Sequence, residues 1–271
     1  MMKEFTTRKI GCIGLGNMGQ AILHGLSAEF PPENINGYDK DPSKAAALAS
    51  MISVCKDAGS AASASDILII AVKPAFVETV CSEIKAVMKP ETIIISIAAG
   101  VTINSIENVL GKSKKIVRVM PNTPALINEG MTAISHNQSV DAADLAITEK
   151  IFSLIGKTLI IEEKYLDAVT AVSGCGPAYG FTFIQAMADA GVRLGLTRSD
   201  AVLLAAQTLK GAAEMVMNSA DEPISLRNKV TSPGGSTIAA VHKLERAAFS
   251  GIIMDAVTEA AEISANLGKK K

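Results

Sequence analysis

The stretch Lys9–Leu26, KIGCIGLGNMGQAILHGL, decides the fold. A short apolar run, Lys9–Ile13, ends in Gly14-x-Gly16-x-x-Gly19 and passes into a segment with helical spacing. Glycines at these positions permit a tight turn, let backbone approach a pyrophosphate and let helix and strand pack closely. The start of the helix then offers free N–H groups to phosphate. Gly14, Leu15, Gly16, Asn17, Met18 and Gly19 are therefore expected to hold a dinucleotide. Asp39 follows Gly19 by 20 residues, at the end of the second apolar run, where a ribose-binding acid is expected. A carboxylate there favours NAD, because it repels a 2′-phosphate. Lys40 and Lys44 stand beside it in YDKDPSK and would pair with that phosphate. NADP and NAD both stay open. Asp41 also reads as the cap of the next helix.

Working outward, short β-rich runs alternate with helical stretches. Strands are expected at Lys9–Ile13, Ile35–Tyr38, Ile67–Ala71, Thr92–Ile97, Lys115–Val119, Met131–Ser135 and Thr158–Ile161. The early runs, such as DILIIAV and TIIISI, are continuously apolar, as in strands buried on both faces. Helical patterns lie between them, at Asn17–Ala28 and Ser43–Ser50 among others. This alternation predicts an α/β Rossmann domain with a parallel sheet. Three segments follow strands on the same side of the sheet: AVKP (Ala71, Val72, Lys73, Pro74), IAAG (Ile97–Gly100) and VMPNTP (Val119–Pro124). Ligands of open parallel sheets bind beyond the carboxyl ends of the strands. Those four residues, with Ala98, Ala99 and Asn122, are placed to line a cofactor crevice; the prolines alone would otherwise only end strands.

Past Glu163 the strand signal stops. Helices are expected at Pro177–Leu196, Arg198–Met217 and Ala247–Leu267, so residues 163–271 should form an all-α domain after a dinucleotide-binding domain at 1–162. The helix after Pro177 is apolar almost all round, which demands burial. A C-terminal region of this size is expected to use a second subunit to cover it. Gly191, Gly195 and Gly211 fit either close helix–helix approach or helix ends.

The composition removes several classes. A formal net charge of -1 over 271 residues gives no field for nucleic acid or a membrane surface, and Trp is absent. No apolar run reaches the roughly 20 residues of a membrane helix. The start, MMKEFTTRKIGCIG, lacks a signal-peptide pattern. Cys12, Cys55, Cys81 and Cys175 have no CxxC spacing, so neither metal nor disulfide is expected. A cytoplasmic protein with reduced thiols follows. The tail Lys269, Lys270, Lys271 should be a solvated end.

Dehydrogenation of an alcohol needs a proton shuttle. His24, His136 and His242 occupy no convincing motif, and Cys175 has no cationic partner nearby in sequence to activate it. A substrate with an already activated C=N bond meets that lack, since an iminium takes hydride without proton delivery in the same step. The stretch NKVTSPGGSTIAAV, Asn228–Val241, offers a partner for such a substrate. Gly234 and Gly235 supply free N–H groups at a helix start, with Ser232, Ser236 and Thr237 hydroxyls beside them. A substrate carboxylate suits that place; a plain Ser/Thr cap on a glycine turn is the alternative.

The motifs IGLGNMG, AVKP, SIAAGV, RVMPNTPA, DAVTAVSGCGPAYGF and VTSPGGSTIAAV occur in the order seen in pyrroline-5-carboxylate reductases, and the sequence resembles that family over nearly its whole length. The resemblance implies a Rossmann domain followed by a helical dimerisation domain, and reduction of 1-pyrroline-5-carboxylate to L-proline, the last step of proline biosynthesis, by NAD(P)H. It implies a homodimer or higher homo-oligomer. It assigns the Gly14–Met18 loop, Lys73 and Ala99 to the cofactor, Ser236 and Thr237 to the substrate carboxylate and ring nitrogen, and Glu163 to the neighbourhood of the substrate. Thr237 is the expected catalytic residue. Cys175 departs from the Ser of many members, Asp39–Lys40 from a small or basic pair, and Lys229 from an Asn that touches cofactor in some members. Two other functions compete: a β-hydroxyacid dehydrogenase, for which Lys210 is the mid-helix candidate, and a dinucleotide sensor without turnover.

Overall fold

Strands Ile10–Ile13 (β1) and Ile67–Ile70 (β4) are buried at every position, so no face of either is left for polar residues. Such strands require helices on both sides of the sheet. The computed structural model describes residues 6–267. Residues 1–5 and 268–271, the lysine tail at 269–271 included, lie outside the described residues. By internal contacts the chain falls into two units. One comprises residues up to 175 together with those from 260 onward; the other is Gly176–Glu259.

In the first unit, Ile35–Tyr38 (β2), Ser53–Val54 (β3), Ile93–Ser96 (β5), Lys115–Met120 (β6), Gly130–His136 (β7) and Gly156–Ile160 (β8) complete an 8-stranded sheet in the order β3-β2-β1-β4-β5-β6-β7-β8. Asn17–Ser27 (α1), Pro42–Ala47 (α2), Ala58–Ala64 (α3), Val77–Ile84 (α4), Ile103–Leu110 (α5) and Ala142–Ser153 (α6) connect them. Two apolar clusters form around the sheet, one with Ile10, Leu23 and Phe152, the other with Leu68, Ile84 and Ile94. The order reverses between β1 and β4, which is where open sheets of this kind hold ligands.

The sheet departs from the expected all-parallel form in one ladder. β6 and β7 pair antiparallel, with Val119 opposite Ile134. The connection from Met120 to Gly130 is too short for the dozen or more residues a parallel crossover takes. It closes through a 3-10 turn at Thr123–Ile127 and Asn128 at φ 60. β3 was not expected: its two residues are exposed and carry no apolar pattern.

Glycines face each other where β7 and β8 begin. Gly130 and Gly156 are in register, and Gly130 N–H donates to Ile155 O at 2.9 Å. A Cβ on Gly156, at φ +145, would overlap the Gly130 backbone.

After β8 a short helix, Leu166–Val169 (α7), runs into a π-turn at Thr170–Gly174, closed by Cys175 N–H donating to Thr170 O at 2.8 Å. Gly174 approaches β6 closely, because a Cβ there would lie 2.8 Å from Met120 Cε. Helix Gly176–Arg193 (α8) then begins one residue before the expected Pro177.

The second unit is helical: α8, Arg198–Met217 (α9), Pro223–Lys229 (α10), Ser236–Arg246 (α11) and the start of Phe249–Leu267 (α12). The last helix starts two residues later than expected because Ala248 sits at φ 56. α10 was not foreseen; its Pro223 stands in the first turn, where a missing N–H costs nothing. The glycines divide as the two readings allowed. Gly191 lets α9 approach, since its Cβ would lie 3.0 Å from Ala201 Cβ; Gly195, at φ +99, ends α8. Gly211 has nothing within 4 Å. The burial expected of the helix after Pro177 is not met inside one chain: only Ala188 of α8 is buried, and Phe181 is 65% exposed.

Replacing Gly156 by Ala combines overlap with a strained φ, and should cost roughly 3 kcal/mol in urea denaturation. Gly111→Ala, at φ +104 but with open space around it, should cost only about 1 kcal/mol.

Candidate functional site

The glycine loop is held by backbone on three sides. Gly14, at φ +99, donates its N–H to Tyr38 O at 2.8 Å, and Ala71 N–H donates to Ile13 O at 2.8 Å. A Cβ on Gly14 would lie 2.6 Å from Ala71 O, and one on Gly19 would overlap the Gly14 carbonyl oxygen. Nothing lies within 4 Å of a Cβ built on Gly16. Below the loop, Cys12 Sγ lies 3.5 Å from Gly14 O. Burial, reinforced by the charge of Asp39, pushes this thiol up to about 12, so it stays protonated and donates.

Beyond the carboxyl ends of β1, β2 and β4 opens a groove of about 460 Å³. Its walls include Gly14, Gly16, Asp39, Lys40, Ala71, Val72 and Lys73 from the expected set, and Lys44 beside them. No side chain caps α1, which leaves its first N–H groups for a ligand. A positive φ, an open position at Gly16 and an uncapped helix start are what a pyrophosphate needs. The residues present therefore fit a dinucleotide.

Sequence reasoning missed part of the wall. Phe76, Thr79 and Glu83 line the same groove from the 3-10 turn Pro74–Phe76 and from α4. The steps of three and four residues from Phe76 to Thr79 and from Thr79 to Glu83 mark one face of a helix, a local signal in the sequence.

Several expected residues also have partners within the chain. Leu15 is fully buried and Ala98 is 4% exposed, so both side chains belong to the core. Asn122 serves the chain itself: its Oδ1 accepts from Met131 N–H at 2.9 Å and its Nδ2 donates to Ser173 O at 3.1 Å. That amide ties the start of β7 to the π-turn. Asp39 is engaged by Leu15 N–H at 2.7 Å, Asp41 N–H at 2.9 Å and Lys44 Nζ at 3.6 Å. Asp41 caps α2 as expected, accepting from Ser43 N–H at 3.0 Å; the Ser43 hydroxyl and amide hold its carboxyl below the usual range.

Glu163 lies in the first unit. Its Oε1 accepts from Arg118 Nη1 at 2.9 Å and from Ile103 N–H, at the start of α5, at 2.7 Å. Arg118 is only 7% exposed, so Glu163 neutralises a guanidinium held in the sheet. This bond pair had no sequence signal, because the partners lie 45 and 60 residues apart.

In the second unit, Ser232, Gly234, Gly235, Ser236 and Thr237 share one turn. Gly234 adopts φ +67, Gly235 N–H donates to Ser232 O at 3.0 Å, and α11 starts with no side-chain cap. The Ser/Thr-cap alternative is thus not what forms; the turn leaves amides and hydroxyls at the helix start. Lys229 pairs with Asp221 at 2.5 Å. His24, His136 and His242 are exposed, and no His/Cys/Asp/Glu cluster among the described residues could hold a metal. No helix among the described residues is long and apolar enough to cross a membrane.

Comparison with known proteins bears on this arrangement. The model of the family described as "Pyrroline-5-carboxylate reductase dimerisation" matches residues 163–267, and that described as "NADP oxidoreductase coenzyme F420-dependent" matches residues 9–100. The chain is 43% identical over 266 residues to pyrroline-5-carboxylate reductase of Escherichia coli, covering 97% of this chain and 99% of that one. It is 38% identical to the Arabidopsis thaliana protein of that name, covering 96% of each. Among solved structures, a pyrroline-5-carboxylate reductase from Coxiella burnetii gives a TM-score of 0.91 at 34% identity, covering 96% of this chain and 98% of that one. The Plasmodium falciparum pyrroline carboxylate reductase with NADP bound gives 0.87 at 35%, covering 97% and 99%. A Mycobacterium tuberculosis 3-hydroxyisobutyrate dehydrogenase is similar in fold alone, at 18% identity and a TM-score of 0.53 over 97% of this chain and 94% of that one. With relatives aligned from end to end and a dinucleotide loop formed as they require, the chain belongs to the pyrroline-5-carboxylate reductase family.

Proposed function

We infer that this protein reduces 1-pyrroline-5-carboxylate to L-proline, using NADP or NAD in its reduced form. The observation that carries this reading is the end-to-end kinship with pyrroline-5-carboxylate reductases, joined to a groove that fits a dinucleotide at the Gly14–Gly19 loop. A bound reduced nicotinamide supplies a hydride. The substrate gains a C–H bond at its imine carbon, and the C=N π pair moves to nitrogen. When that nitrogen is already protonated, no proton has to arrive in the same step, which suits a chain whose three histidines are exposed.

Each residue has a proposed task. The N–H groups at the start of α1 hold pyrophosphate, with Lys73 and the Ala99 backbone beside the cofactor. The N–H groups at Ser236 and Thr237, which start α11 without a side-chain cap, hold the substrate carboxylate with the Ser232 and Ser236 hydroxyls, on the turn made by Gly234 and Gly235. The Thr237 hydroxyl holds the ring nitrogen of the substrate. Orientation of this sort can supply most of the rate. Glu163 spends Oε1 on Arg118 and Ile103, which leaves Oε2 as the oxygen proposed for substrate. The boundary between the two family domains is read at 162/163, which the start of the dimerisation-family match at 163 supports, while the compact units part at 175/176. Exposed Phe181, Leu203 and Met254 support a homodimer that buries them. A cytoplasmic location fits four free thiols.

Spectrophotometric oxidation of NADH or NADPH on adding 1-pyrroline-5-carboxylate tests the reading. Turnover is expected; cofactor binding without oxidation would point to the sensor instead. Thr237→Ala should lower kcat/KM by about 100-fold, while Cys175→Ser should stay within about threefold of wild type. Wild-type turnover in the Thr237 variant would remove its assigned role. Glu163→Ala leaves Arg118 unpaired and should cost roughly 2 kcal/mol in urea denaturation, discounted for the partial exposure of Glu163; Glu163→Gln, which keeps an acceptor, should cost about half that.

A further inference from the structure

The groove beside the glycine loop holds a fixed charge arrangement with a consequence for cofactor choice. Asp39 ends β2, and its side chain is 11% exposed. Oδ1 accepts from Asp41 N–H and Oδ2 from Leu15 N–H, at 2.9 and 2.7 Å. The carboxylate is therefore held by two backbone amides and cannot swing aside without freeing the loop. A carboxylate has about four acceptor positions, so room remains for a further donor. A ribose hydroxyl can donate there. A 2′-phosphate dianion carries no proton to donate and brings like charge instead.

The neighbouring lysines do not reverse this. Lys44 is already paired with Asp39 at 3.6 Å. Asp39, Lys40, Asp41 and Lys44 sum to zero formal charge, and Lys73 and Glu83, which line the same groove, cancel each other. A dianion placed here gains no net local attraction and meets the least movable charge of the group.

We propose that Asp39, clamped between the Leu15 and Asp41 amides and charge-paired with Lys44, makes this protein select NADH over NADPH by accepting from the ribose 2′-hydroxyl. The proposal rests on the groove being the dinucleotide site. It adds that one carboxylate both braces the glycine loop and sets the cofactor class. Lys44 is the latent phosphate ligand, released only when the charge on Asp39 is removed.

The test is calorimetric and uses the full chain with two fragments that lack nicotinamide: ADP-ribose and 2′-phospho-ADP-ribose. Wild type should bind ADP-ribose at least about tenfold more tightly. Asp39→Asn keeps an oxygen for the Leu15 N–H while losing the charge, and should erase or invert that ratio. Adding Lys44→Ala to Asp39→Asn should take away the gain for the phosphorylated ligand. Steady-state kcat/KM with NADH and NADPH should shift in parallel. Wild type binding the phosphorylated fragment equally well or better overturns the proposal, whether or not the variants fold. So does a ratio unmoved in a folded Asp39→Asn protein. Turnover of 1-pyrroline-5-carboxylate is read separately: a wrong ratio in an active reductase sinks only this proposal, and a correct ratio in a protein that never oxidises NADH with that substrate sinks only the functional reading.

Discussion

Backbone meets backbone at Gly14. Its residue sits at φ +99 against the Ala71–Val72 peptide, and Gly19 closes on the Gly14 carbonyl with no space for a methyl group. These contacts set where α1 starts relative to β1 and β4. They also bring the uncapped end of α1 to the groove formed where the strand order reverses. Any side chain at either glycine would have to push helix from sheet. The nucleotide site is thus a by-product of how closely one helix packs on two strands. The sheet supports that packing cheaply, since β1 and β4 are apolar throughout and covered on both faces.

The second unit obeys a different constraint. Its helices leave Phe181, Leu203, Ile252 and Met254 exposed in a single chain, and α8 buries only Ala188. Apolar area of that kind is stabilising only when covered. The family match over residues 163–267 is named for dimerisation, which accords with helices that are apolar on more faces than one chain can cover. The turn at Ser232–Thr237 shares this unit, so its amides sit on a scaffold with exposed apolar faces.

Much of this was legible because local signals agree with the global fold. Ile35–Tyr38 and Arg198–Met217 were bounded as they occur, and other strands within one or two residues, because apolar runs and turn residues coincide there. The glycine fingerprint was legible because backbone geometry demands glycine. What escaped depended on partners distant in sequence. The antiparallel β7 has the same apolar pattern as its parallel neighbours, and only the length of its connection betrays the direction. The bonds of Glu163 to Arg118 and Ile103 join residues 45 and 60 positions apart, which no local pattern marks. Asn122 bridges Met131 and Ser173, the second of which lies 51 residues away.

The account stands on the close approach at the glycine loop, and Gly19→Ala tests it most directly. The measurement is NADH affinity by fluorescence titration, with far-ultraviolet circular dichroism to follow the fold. The added methyl must displace α1 from the Gly14 carbonyl, so affinity should fall by about 100-fold or more while helix and strand content is retained. A folded Gly19→Ala protein that binds NADH within about twofold of wild type would contradict the account.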